Sequence, residues 1–446
     1  MELKRLFYDT LVGWKQENRR ECLLVKGARQ VGKTFIIRKF GRENFENFIE
    51  INFALNPEYC AAFDGNLNVR SIIESLTAIG GNLPFVPGKT LLFLDEIQDC
   101  PNARTALKCF AEDGSYTVIA SGSLLGIRYK KDRLKRTPRS IPVGYERQMT
   151  LYSLSFEEYL LARGYGTELF SSLRRYFEKR EMVPLAVHDR LTRLLREYAV
   201  IGGMPEVVSA FIDHGNYGEV QLLQEKLVRD YVDDIEKYAD TVDIPKIEKC
   251  FAAIPRILAK ENRKFKYAEV EDRGTARKFL SSVEWLKAAN MVTLAECVNV
   301  ALPGLAGYVK EEWFKLYCSD VGLLSSFYGQ LVKRGILDGT LKGSVKGGIY
   351  ENLMAGILER NGFPIRYYRN DDREVEFLVE VEDGVVPIEV KASNSATRSF
   401  DGLLASPEIP YGYKFVDGNV GVLGKKITMP HYLSMFIRYA NEVPKF

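Results

Sequence analysis

Apolar and polar residues follow one another along this chain in more than one rhythm. From about residue 21 to 150, short apolar, β-prone runs (ECLLVKG, NFIEINF, KTLLFLDEI, SYTVIASG and the shorter RSIPVG) are separated by longer stretches with helical spacing. Strands that read as unbroken apolar blocks are buried on both faces. The alternation therefore predicts an α/β domain, a parallel sheet with helices on both faces. From about 151 to 295 the strand signal fades. SLSFEEYLLARGYG, VHDRLTRLLREYAVIGG, GEVQLLQEKLVRDYVDDIEKYAD and IPKIEKCFAAIPRILAKEN carry amphipathic helical patterns, and the glycine pair Gly202-Gly203 closes the second of them.

The helical ARKFLSSVEWLKAAN and the β-like MVTLAECVNV come next, an order that suits a winged helix-turn-helix and suits a small packing module equally well. Beyond 330 a helix, GGIYENLMAGILERNG, precedes the strand-like IRYYRN, EVEFLVEVEDG and VVPIEVKAS. That is a second α/β segment, with strands following the helix. No internal repeat or low-complexity linker separates the parts.

Composition narrows the field. At 446 residues, 46% hydrophobic and 27% charged, the chain has the make-up of a soluble protein of several domains, each able to bury its own core. Lys and Arg number 62 against 59 Asp and Glu, a net charge of +3, so any basic surface must be local. The seven cysteines form no C-x-x-C pair and the three histidines stand far apart, which argues against structural zinc and a histidine-based dyad. The amino terminus lacks the apolar core of a signal peptide, and no stretch approaches the ~20 apolar residues of a membrane span. The expected location is the cytoplasm, with reduced thiols and no membrane partner.

Residues 27–34, GARQVGKT, match G-x-x-x-x-G-K-[ST] directly after the apolar run CLLV and before the helix-like FIIRKF. Gly27 and Gly32 let the backbone curl so that the amides of Ala28, Arg29, Gln30 and Val31 face a polyphosphate, with the positive end of the next helix behind them. Lys33 is placed to bridge β- and γ-phosphates, and the Thr34 hydroxyl to bind Mg²⁺. A second element, Leu91-Leu92-Phe93-Leu94-Asp95-Glu96, ends four apolar residues in two carboxylates. Asp95 is the expected metal-orienting acid, and Glu96 the residue that polarises water for attack on the γ-phosphate. A third run, Thr117-Val118-Ile119-Ala120, ends in Ser121-Gly122-Ser123, of which Ser123 is the expected γ-phosphate sensor. The basic run that follows (Arg128, Lys130, Lys131, Arg133, Lys135, Arg136, Arg139) reads as solvated charge, as backbone contacts to nucleic acid, or as the source of an arginine finger, with Arg136, Arg139 and Arg147 as candidates.

With these motifs in view, the chain resembles a large prokaryotic family of predicted AAA+-type ATPases whose carboxy-terminal domain, of unknown function, is related to restriction endonucleases. The matching blocks are GARQVGKT at 27, LLFLDEIQ at 91, ASGS at 120, PVGYERQMTLYSLSFEEYL at 142, GGMPEVV at 202, IPRILAKENRKFKY at 254, FKLYCSDVGLL at 314, and GGIYEN with VVPIEVKAS near the end. The resemblance implies ATP as the nucleotide, and a P-loop NTPase domain over 1–195. It implies a helical and winged-helix region over 196–330 and a restriction-endonuclease-like α/β domain over 331–446.

In nucleases of that fold a helix acid and two strand acids hold Mg²⁺ beside a lysine. The resemblance carries these roles to Glu351, Glu376, Glu389 and Lys391, although family members usually have Asp where this chain has Glu376. Glu389 and Lys391, two apart on a strand, face the same side, and oxygen ligands of this kind select Mg²⁺ or Mn²⁺. An active nuclease, a retained fold used for binding, and a surface ion pair all stand open at this point. The expected function is a Mg²⁺-dependent ATP hydrolase whose nucleotide cycle controls a nuclease-like domain with DNA or RNA as partner. The alternative is an ATP-dependent switch or interaction protein with an inactive nuclease-like domain. A homo-oligomer is compatible with either.

Overall fold

The computed structural model describes residues 2–17, 19–123, 144–371, 373–391 and 397–438. The chain divides into two compact units. One comprises Arg5–Tyr152 with Ala288–Asn290; the other comprises Met1–Lys4, Ser153–Lys287 and Met291–Phe446.

In the first unit the described strands are β1 (Cys22–Lys26), β2 (Asn47–Asn52), β3 (Thr90–Asp95), β4 (Thr117–Gly122) and β5 (Glu146–Thr150). They form one sheet in the order β2-β3-β4-β1-β5, with every pairing parallel. Its helices are α1 (Phe7–Gln16), α2 (Lys33–Asn44), α3 (Val69–Gly80) and α4 (Pro101–Asp113). The apolar blocks read from the sequence become β1 to β4, and β3 is buried along its whole length. Leu24, Ile49, Leu92, Leu94 and Ala120 pack with Ile72 and Leu76 of α3 and Leu107 and Phe110 of α4 in one core. The fifth strand differs from the expectation: it is ERQMT at the sheet's edge, half-exposed and polar, where periodicity gives no signal. The run RSIPVG lies almost wholly outside the described residues.

The second unit begins with helices Phe156–Ala162, Thr167–Lys179, Leu185–Ile201, Pro205–His214, Tyr217–Tyr238 and Ile244–Leu258. Ser155 opens the first with a reciprocal capping box to Glu158. Gly202 and Gly203 end the third, and they serve a close approach besides: a Cβ on Gly203 would lie 2.0 Å from the Leu154 carbonyl oxygen, while its N–H donates to Asp320 at 2.8 Å.

Two sheets complete this unit. One runs β7-β6-β8-β9, from β6 (Val292–Val298), β7 (Val309–Cys318), β8 (Arg366–Asn370) and β9 (Arg373–Val375). The other runs β10-β11-β12-β14-β13, from β10 (Phe377–Val381), β11 (Gly384–Val390), β12 (Gly412–Val416), β13 (Gly421–Leu423) and β14 (Lys426–Pro430). The β6–β8 pairing is parallel and joins segments on either side of residue 330. Helix Ser344–Arg360 precedes β8, and helix Arg398–Leu404 lies between β11 and β12. Among the described residues, no helix is long and apolar enough to cross a membrane.

Candidate nucleotide site and a buried carboxylate pair

A parallel sheet brings the carboxyl ends of its strands to one edge, where ligands bind in open α/β folds. Here that edge carries Lys26, Asn52, Asp95 and Gly122, the last residues of β1 to β4. The loop after β1 turns tightly: Gly27 has φ +156°, Gln30 +62° and Gly32 +94°. A Cβ on Gly27 would lie 2.2 Å from the Leu151 carbonyl oxygen, so no larger residue fits there. Arg5 braces the loop from outside, donating to the carbonyls of Val31 at 2.8 Å and Tyr152 at 2.6 Å. Gly32 opens α2 without a side-chain cap, which leaves the first-turn amides to an anion.

Lys33 is buried, and its ammonium donates to the Gly27 and Ala28 carbonyls at 3.0 and 2.9 Å, inside the curl of the loop. The Thr34 hydroxyl donates to Asp95 Oδ2 at 2.9 Å. Asn52 Nδ2 donates to the same oxygen at 3.0 Å, and the Ser121 hydroxyl donates to Asp95 Oδ1. Asp95 is thus fixed by three uncharged donors, which orient the carboxylate without cancelling its charge. With Thr34 it fits the oxygen donor set that a magnesium ion on a bound triphosphate uses.

Glu96 follows at φ +51°, a left-handed conformation that few side chains of its kind adopt. Gln98 donates to its carboxylate and the Asp99 N–H to its carbonyl at 2.9 Å, so the turn is held at both ends. Burial raises the Glu96 carboxyl above its ordinary range, against the opposing pull of the Gln98 amide and the Lys33 ammonium.

The structure brings together Lys33, Thr34, Asp95 and Glu96, as the motifs imply, and adds Asn52 and Ser121, which the sequence did not single out as partners of Asp95. Ser121, not Ser123, makes that hydrogen bond; Ser123 is buried one step beyond the strand. Asn52 ends β2 in register with Asp95, a relation that the sequence alone does not display. Arg147 pairs with Glu17 at 2.6 Å. Arg136, Arg139 and the basic run lie outside the described residues.

In the second unit, the β10–β11 pairing sets Glu376 beside Glu389, and Lys391 reaches both carboxylates, at 2.6 and 2.8 Å. The remaining oxygens, Glu376 Oε2 and Glu389 Oε2, are buried without a donor from another residue. Burial and the Glu376 charge push Glu389 up to about 9, so a proton on the pair supplies the hydrogen bond between them at neutral pH.

Glu351 is not part of this group. Its Oε1 accepts from Lys315 at 2.8 Å and Tyr317 at 2.5 Å, and its Oε2 from Arg263 at 2.8 Å. Burial opposes its ionisation, yet Lys315 and Arg263 hold it well below the usual carboxylate range. Both oxygens are committed to cations, so a metal set that includes Glu351 does not fit. Among the described residues, no group of three or more acids, histidines or cysteines is arranged to hold a metal.

Comparison with known proteins divides the chain in a similar way. Residues 19–160 match a family model described as an AAA domain, residues 192–332 match the domain of unknown function DUF8612, and residues 346–429 match the domain of unknown function DUF4143. No curated protein matches significantly. Among solved structures, a Walker-type ATPase of Pyrococcus abyssi is similar at 16% identity and TM-score 0.42, covering 73% of this chain and 95% of its own. AMPPCP-bound DnaA from Aquifex aeolicus is similar at 12% identity and TM-score 0.27, covering 64% and 87%. The family model, the loop and the five-stranded parallel sheet together make the first unit an AAA-type P-loop ATPase domain.

Proposed function

We propose that the protein is a Mg²⁺-dependent ATP hydrolase whose nucleotide cycle controls a nuclease-like, nucleic-acid-binding carboxy-terminal domain. The observation that carries the first half is the Thr34–Asp95 hydrogen bond, with Lys33 in the loop and Glu96 next in chain. In this reading the amides of residues 27–32 and Lys33 bind the phosphates, and Thr34 and Asp95 hold Mg²⁺, which would supply charge neutralisation. Glu96 polarises the attacking water, its raised carboxyl making it a better base than a solvated one. Ser121 orients Asp95, and Ser123 is left as the sensor of the γ-phosphate. ATP turnover by three purified proteins tests this: Lys33→Ala loses ATP binding, whereas Glu96→Gln keeps binding and loses hydrolysis by orders of magnitude relative to wild type. Normal turnover in the Gln protein sinks the assignment of the base.

For the second half, the succession of helix Ser344–Arg360, β8 to β11, helix Arg398–Leu404 and β12 supports a restriction-endonuclease-like reading. The commitment of Glu351 to Lys315 and Arg263 favours the version of that reading in which the domain binds nucleic acid without cutting it. Incubation of the protein with single- and double-stranded DNA and RNA in Mg²⁺ or Mn²⁺ separates the two versions. Cleavage abolished by Glu389→Gln restores the active nuclease.

A further inference from the structure

One face of β7 carries Trp313, Lys315 and Tyr317, since alternate residues of a strand share a side. Tyr317 and Lys315 are buried and bind Glu351, and Lys315 also reaches Glu374 at 2.8 Å. Trp313, nearer the exposed end of the strand, is only partly buried. Two cations lie over its ring: Lys264 Nζ at 3.8 Å and the Arg369 guanidinium carbon at 5.2 Å from the centroid. Arg369 shares Glu374 with Lys315, at 3.2 Å on its side, and its Nε is buried without a partner. No carboxylate pairs with the Lys264 ammonium among the described residues. Burial and the charge of Arg369, with a smaller contribution from Lys266, make that ammonium harder to keep protonated, against weaker opposition from Cys297 and Glu312.

Such a cluster has a surplus of positive charge. Glu351 and Glu374 face Lys315, Arg263 and Arg369 before Lys264 is added. Two cations at one indole, one of them Lys264 with no carboxylate partner among the described residues, suit anionic groups such as the phosphates of a nucleic-acid backbone. Arg369 and Glu374 are also register partners on β8 and β9, and Glu376, two residues on, leads to Glu389 and Lys391.

We infer that Lys264, Arg369 and Trp313 form a grip for the phosphodiester backbone of a nucleic-acid strand, which is led along the sheet toward Glu376 and Glu389. This rests on the nucleic-acid reading above and names where that strand is held. Each phosphate neutralised on a single strand contributes a salt slope of about 0.7, so at 50 mM salt one lost contact weakens binding about eightfold.

The full chain is titrated with fluorescein-labelled single-stranded DNA and RNA of equal sequence while anisotropy is read, from 50 to 300 mM NaCl. Lys264→Gln is expected to weaken binding about eightfold at 50 mM and to flatten the slope by about 0.7; Lys264→Gln with Arg369→Gln roughly squares the loss. Strand addition should also quench tryptophan emission, and Trp313→Phe should remove that quench, a readout at the grip that does not depend on charge. Preference for one strand type tells DNA from RNA as the occupant. Wild-type binding with unchanged affinity and slope in the Lys264→Gln protein overturns the grip while leaving the nucleic-acid reading intact. Failure of wild type to bind either strand overturns both.

Discussion

Replacing Glu351 with Gln distinguishes a structural carboxylate from a ligand waiting for a metal. Glu351 is 1% exposed and accepts three hydrogen bonds, two of them from cations, the enclosed Lys315 and the partly buried Arg263. Removing one partner of a buried ion pair costs about 3–5 kcal/mol, because the other charge is left uncompensated. Lys315 keeps Glu374 as a second partner, so the loss falls mainly on Arg263, and the lower figure of about 3 kcal/mol applies. For a unit of this size each kcal/mol moves the midpoint by about 1.5–2 °C, which predicts a fall of about 5–6 °C. Acids gathered for a cation repel one another without it, so a metal-ligand Glu351 would gain stability, or lose none, on becoming Gln. The measurement is thermal unfolding followed by tryptophan emission in a Trp14→Phe background, where Trp285 and Trp313 report on the second unit alone. A midpoint that rises, or stays within about 1 °C, refutes the structural role.

Glu389→Gln should behave in the opposite way. The folded pair binds a proton more tightly than the unfolded chain, so its contribution is full below the unfolded carboxyl range, near pH 4.5, and declines as pH rises toward about 9. Urea midpoints across pH 5 to 9 should therefore fall more steeply for wild type than for the Gln protein, and parallel curves would contradict the shared proton. For ATP turnover, the acid limb of the pH–rate profile should lie above the ordinary carboxylate range because burial raises Glu96, and Glu96→Gln should erase that limb along with the rate. Ser121→Ala and Asn52→Ala should each raise the Mg²⁺ concentration needed for half-maximal turnover several-fold by freeing Asp95, whereas Ser123→Ala should leave that requirement alone; equal effects of all three would remove the distinction between the two serines. Gly27→Ala should abolish nucleotide binding, read by calorimetry, because its methyl group meets the Leu151 carbonyl.

What could be read from the chain followed from how strongly burial imprints on sequence. β1, β3 and β4 lie inside the sheet, so their residues had to be largely apolar in continuous runs, and the loop and acids attached to their ends came with them; β2, at the other edge, still turns Ile49 and Ile51 into the core. β5 escaped because an edge strand is half in water and its Glu146 answers Arg104 of α4 at 2.9 Å instead of a core. β13 and β14 were missed for a related reason. β13 is fully exposed, and β14 alternates instead of running apolar. Asn52 and Ser121 were illegible as partners of Asp95 because their relation lies in strand register, which a single sequence does not display. The partners of Glu351 were illegible for the converse reason. Its helix position matched a motif, but its partners Lys315 and Arg263 lie 36 and 88 residues away.

The two principal carboxylates show how the choice of donor decides what an acid is for. Asp95 is held by an alcohol, an amide and a second alcohol, each of which supplies a hydrogen bond and no net charge. Its negative charge is therefore still available to a cation, and the geometry costs little to keep because the donors end neighbouring strands or open α2. Glu351 has the same number of donors, yet two are cations, and the field it would offer a metal is already cancelled inside the protein. Glu376 and Glu389 stand between these cases: one lysine serves two acids, and a proton takes the place that a second cation would fill. A divalent ion could displace that proton only by binding more tightly as pH rises. Metal affinity at this pair should therefore climb about tenfold per pH unit below about 9. A titration of Mn²⁺ at pH 6 and pH 8, followed by water-proton relaxation and compared with Glu389→Gln, reads this directly. Affinity that does not change with pH, or is kept in the Gln protein, places the ion elsewhere.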